Sequence, residues 1–108
     1  MHELKGKFAS STEKRRIVWE EIIWPLILEK DRPYFTIEEY HKKRDKYSKE
    51  NNINLKIITG GFVSLIVKGL IIKDKDPDVY YIHYKLIPYL RKKTVLSYGQ
   101  AAREVTVK

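Results

Sequence analysis

The stretch TGGFVSLIVKGL, Thr59 to Leu70, decides how the whole chain is read. Its later residues carry the apolar spacing of a buried helix, and KGL resembles a helix closing on a glycine. Gly60 and Gly61 nevertheless stand side by side within it, and each glycine in a helix interior costs about 1 kcal/mol relative to alanine. Upstream, Asn54 is a good N-cap, so the spacing predicts a helix from Leu55 to about Lys68, with Gly69 as its left-handed C-terminal residue. At about 100° per residue, Ile58, Phe62 and Leu65 share one face, which is the core face. Lys56, Gly60, Val63 and Val67 lie roughly opposite, with Thr59 and Ser64 on the flanks. Gly60 then falls outward, where a missing side chain allows close approach to another molecule. Gly61 falls nearer the core, where it lets the preceding helix pack tightly. A second account stays open: both glycines bend or start the helix, with Thr59 as a late N-cap.

Other elements follow from the same signals. Ser10 three residues before Glu13 is a capping-box pattern opening SSTEKRRIVWEEIIWPLILEK. Ile17, Ile22, Ile23, Leu26 and Ile27 recur there at helical spacing, while Trp19, Trp24 and Leu28 widen the apolar face. Pro25 should kink or divide this helix. Tyr34-Phe35 suits a very short strand. Thr36 with Glu39 is a second capping box, starting a helix whose Ile37, Tyr40, Arg44 and Tyr47 line one side. LIIK and VYYIHYK are β-like runs around DKDPD, which reads as a hairpin. In the last segment, Ile87, Leu90, Thr94, Tyr98, Ala101, Ala102 and Val105 fall near one helical face, weakened at Gly99.

The chain has 108 residues, 43% of them hydrophobic, enough for one domain with a real core. It has no cysteine, which excludes disulfides, thiol nucleophiles and zinc-thiolate sites. His2, His41 and His83 do not share ligand spacing, and no cofactor is expected. DKDPD does not meet the calcium-loop pattern, because Val79 and Lys85 stand where glycine-sixth and glutamate-twelfth spacing require other residues. MHELKGKFAS lacks the apolar core of a secretory leader, and IVWEEIIWPLIL is too short to span a bilayer. A cytoplasmic, nucleoid-associated protein without a membrane partner is expected. High Lys, Ile and Glu with a single Gln also suit a heat-adapted organism.

Net charge is +8 and favours a polyanion partner. Its distribution is uneven. Residues 1–16 hold five Lys/Arg against two acids, and residues 85–108 hold six against one.

The order helix, short strand, helix, helix, hairpin resembles a winged helix-turn-helix domain. Ile53, Ile58, Phe62, Leu65 and Gly69-Leu70, followed by YYIHYKL, look like the recognition-helix-to-wing segment of small prokaryotic or archaeal MarR- or PadR-like transcriptional regulators. The resemblance implies an α+β winged helix-turn-helix fold: a three-helix core, a short strand plus β-hairpin wing, and a C-terminal helix. It implies a flexible basic N-terminus over residues 1–9, the winged-helix domain over 10–91, and a helical extension over 92–108 that serves dimerisation.

It further implies that helix 55–68 enters the major groove of double-stranded DNA. Lys56 and Thr59 are then the first candidates for base-edge or phosphate contact, followed by Gly60, Ser64 and Lys68. Lys42, Lys43 and Lys46 are candidate phosphate clamps. Lys73 and Lys75 would reach the minor groove only by turning away from Asp74, Asp76 and Asp78. Trp19, Trp24, Leu28, Tyr98, Ala102 and Val105 are candidates for a homodimer seam, the alternative being a tail folded back over the first helix. No nucleophile elbow, phosphate loop or paired-carboxylate setting points to catalysis, and no small-molecule effector can be inferred. Val63, Ile66 and Val67 leave two other readings open, a protein-interaction module and an architectural protein that coats DNA without sequence preference.

Overall fold

The computed structural model describes residues 10–106. The basic N-terminal segment expected over 1–9, and the last two residues of the extension, lie outside them. Ser10 caps α1 (Ser11–Val18) through its Oγ, which accepts the Glu13 amide at 3.1 Å. The chain continues without turning aside through a π-helical turn, Trp19–Ile23, into α2 (Trp24–Lys30). Pro25 explains the transition. It lacks the N–H that an α-helical turn would use, and the Trp24 amide reaches back five residues to the Trp19 carbonyl instead. The widened turn accommodates the proline, so the expected kink is a π-bulge.

Asp31 ends α2 in the left-handed region, at φ 55°. Strand β1 (Tyr34–Thr36) follows, then α3 (Ile37–Asn51), a three-residue turn, and α4 (Leu55–Val67). Asn54 Oδ1 accepts the Lys56 amide at 2.7 Å, so α4 starts at Leu55 and runs unbroken through both glycines. Thr59 is not its cap. At the other end Gly69 has φ 83°; its amide bonds the Ile66 carbonyl, and the Leu70 amide bonds the Leu65 carbonyl. That pair of bonds closes the helix as a Schellman motif.

Strands β2 (Ile71–Lys73) and β3 (Val79–Ile82) form the hairpin, and β3 lies between β1 and β2 in a three-stranded antiparallel sheet. The fold is α+β, with helices against one face of this small sheet. Core residues come from every layer. Phe35, Tyr40, Phe62 and Tyr80 form a ring cluster with centroids 4.2–6.3 Å apart, and Val18, Ile22, Ile58, Leu65, Ile71, Ile82 and Leu86 belong to the same buried core.

The last segment departs from the single helix expected. A 3₁₀ turn (Tyr84–Leu86) leads into α5 (Ile87–Arg91), and only at Tyr98 does α6 (Tyr98–Thr106) begin. Lys93 sits at φ 55°, which breaks the helix, and Thr94–Ser97 crosses the first helix as a strap. The Trp24 indole N–H donates to the Thr94 carbonyl at 2.8 Å and the Trp19 indole to the Leu96 carbonyl at 3.1 Å. Among the described residues, no helix is long and apolar enough to cross a membrane.

Candidate nucleic-acid interface

Helix α4 divides cleanly by exposure. Ile57, Ile58, Gly61, Phe62 and Leu65 are buried, whereas Lys56, Thr59, Gly60, Val63, Val67 and Lys68 are exposed. The outward row is therefore the one that helical spacing gives, and it stays exposed. Val63 is 52% and Val67 78% exposed, with Leu55 at 43% beside the N-terminal turn. Among the described residues, neither Lys56 nor Lys68 is in an ion pair.

Both glycines lie against Lys14 of α1. A Cβ built at Gly61 would lie 2.4 Å from the Lys14 carbonyl oxygen and 2.6 Å from Val18 Cγ2. Gly61 thus admits the backbone of the first helix, not that of the preceding helix α3. Among the described residues, a Cβ at Gly60 would meet only Lys14 Cδ, at 3.8 Å.

Ser64 is not part of the open row. Its half-buried hydroxyl accepts a 2.7 Å bond from Arg15 Nη1. Arg15 also donates from Nε to the Tyr98 hydroxyl at 2.6 Å and from Nη2 to Thr12 Oγ1 at 3.3 Å. All three acceptors are neutral hydroxyls, so the guanidinium charge at the junction of α1, α4 and α6 is uncompensated by them. Sequence spacing could not reveal Lys14 or Arg15 as neighbours of α4, because their proximity comes from a helix crossing between distant segments.

Lys42, Lys43 and Lys46 do not join the α4 row. They line an open hollow of about 450 Å³ with Leu26, Glu29, Lys30, Glu38 and Glu39, and no α4 residue borders it. Lys43 Nζ lies 3.2 Å from Glu29, and three carboxylates dilute the positive field there.

At the hairpin tip Lys73 and Lys75 are exposed, as are the three aspartates around them. Asp76 Oδ1 accepts the Asp78 amide at 2.9 Å, and Asp74 Oδ2 the Asp76 amide at 3.5 Å. The acids therefore have a local reason to be there: they build the turn. Their charge still offsets that of the two lysines.

The residues expected at a dimer seam lie within the chain. Trp19 and Trp24 are buried and stack at 5.5 Å, Tyr98 is buried under Arg15, and Leu28, Ala102 and Val105 are half-buried against the core. The tail folds back over the first helix, the alternative the sequence left open.

No protein family, curated protein or solved structure matches this chain.

Proposed function

We propose that the chain is a winged helix-turn-helix protein that binds double-stranded DNA, with α4 entering the major groove. The element order, the three-residue turn between α3 and α4, and the β1-β3-β2 sheet support the fold reading. One observation carries the functional reading: α4 keeps a full outward row open, opposite a sealed core face, and that row begins with Lys56 and Thr59 at the helix N-terminal end. A groove-entering helix contacts base edges with residues of that end. The small residues along the row, Thr59, Gly60 and Val63, permit close approach, and the valine methyls suit thymine methyl groups. Lys56 and Lys68, with Arg15 and Lys14 on the α1 flank, supply positive charge toward phosphates. Ser64 leaves the set of contacts, since Arg15 holds it.

A second reading is favoured by the exposure of Leu55, Val63 and Val67, which would equally suit an apolar contact with another protein. Salt separates the two. Duplex affinity should fall by orders of magnitude between low and moderate salt, whereas an apolar contact should hardly respond. The expected result for the Lys56→Ala/Thr59→Ala variant is an unchanged fold by circular dichroism and duplex affinity lower by about tenfold or more. Unchanged affinity would remove α4 from the interface.

A further inference from the structure

We propose that Gly60 and Gly61 together form a saddle for Lys14, and that Lys14 delivers an ammonium from α1 to the outward side of α4, where it holds a phosphate of the DNA backbone. The inference rests on the duplex-binding reading and adds a contact from a helix that the sequence did not implicate.

Three facts converge on this residue. At the Lys14 peptide α1 comes very close to α4: its carbonyl oxygen and carbon would lie 2.4 and 2.8 Å from a Cβ at Gly61. Only glycine lets the two backbones come that close. From this contact the Lys14 side chain runs over Gly60, with Cδ 3.8 Å from the position a Cβ would take there. Gly60 belongs to the exposed row, so the stem leads from the helix crossing toward the open face. The ammonium is two bonds beyond Cδ. A lysine in such a place lays its methylenes on the neighbouring helix and keeps its charge in water.

Neighbouring charges favour the same direction. Glu13, the nearest acid in sequence, is engaged by Arg16 at 2.7 Å, and among the described residues Lys14 is in no ion pair. Arg15, tied to Ser64, Tyr98 and Thr12, fixes the rotation of α1 about its axis and thereby the direction in which Lys14 leaves it. Phosphate contacts of this kind set register and add affinity without reading sequence.

The test is a salt titration of the full chain against a short random-sequence duplex carrying a fluorophore. Lys14→Met keeps the stem and removes the charge; Lys14→Arg keeps the charge. The expected result is that Lys14→Met melts like the wild type while the slope of log affinity against log salt shrinks by about 0.9, the effect of one phosphate contact. That slope change corresponds to about eightfold weaker binding at 0.1 M than at 1 M salt relative to wild type. Lys14→Arg should retain the wild-type slope. A wild-type slope in Lys14→Met overturns the inference while leaving the duplex-binding reading intact. A wild type without salt-dependent duplex binding overturns that reading itself. If Lys14→Met does not fold, Lys14→Gln reads the same slope.

Discussion

Adjacent glycines in one helix can have opposite energetics, and Gly60 and Gly61 show how. At Gly61 a methyl group would press on the Lys14 carbonyl at 2.4 Å and on Val18 Cγ2 at 2.6 Å. The carbonyl belongs to a helix and cannot swing aside, so Gly61→Ala should destabilise by about 1–3 kcal/mol despite its better helix propensity. At Gly60 the neighbour among the described residues is a flexible stem at an ordinary 3.8 Å. Gly60→Ala should therefore raise stability, by up to about 1 kcal/mol. The same methyl stands on the outward row and should weaken duplex binding. Thermal melts and a duplex titration of the two variants check this; equal destabilisation by both would refute the packing account. Helical periodicity was enough to place Gly60 outward and Gly61 inward. It could not say which helix lies against Gly61, since spacing along one helix carries no information about its crossing partner.

Elements whose determinants are local were legible in the sequence, and α3 is the clearest case. Thr36 Oγ1 accepts the Glu39 amide at 3.1 Å, and Glu39 Oε1 accepts the Thr36 amide at 3.0 Å, the reciprocal box the TIEE spacing predicts. Burial raises the Glu39 pKa, but the Thr36 amide, the Arg32 guanidinium at 2.6 Å and Lys30 outweigh it, and the carboxyl titrates below its ordinary value. A lowered carboxylate pKa contributes stability above the ordinary glutamate range of about 4.3, and that stability is lost as pH falls through the folded-state value. Glu39→Gln should thus cost about 1 kcal/mol near neutrality, discounted for the group's partial exposure, and converge with wild type in acid, once pH lies below the folded-state value. Urea melts at the two pH values measure the convergence; a constant gap would assign the cost to packing. The segment after Leu86 was not legible for the complementary reason. Apolar residues from Ile87 to Val105 keep near-helical spacing across Thr94–Ser97, which is not helical at all. That strap is fixed by indole donors some seventy residues earlier, at Trp19 and Trp24, and no local signal records them.

At the scale of the whole chain, the strap converts an over-apolar first helix into a sealed one. Leu96 is buried and its carbonyl accepts from Trp19; the Tyr98 amide donates to Glu20 at 2.9 Å; Lys93 pairs with Asp31. Apolar width beyond one stripe signals that a helix has two coverings, and sequence alone cannot tell whether the second is its own tail or another copy. Intramolecular covering makes measurable demands. Leu96→Ala should remove about 2–5 kcal/mol, a fall of roughly 10 °C or more in Tm for a domain of this size, through the cavity left beneath the strap. Duplex affinity measured well below that melting point should persist, because Lys56, Thr59 and Val63 point away from the core that the strap helps to seal. In addition, if the covering comes from the same chain, the emission of the wild-type tryptophans should hold its maximum across a wide dilution series. A red shift on dilution would move Trp19 and Trp24 to a boundary between copies and make the strap a crossing between subunits.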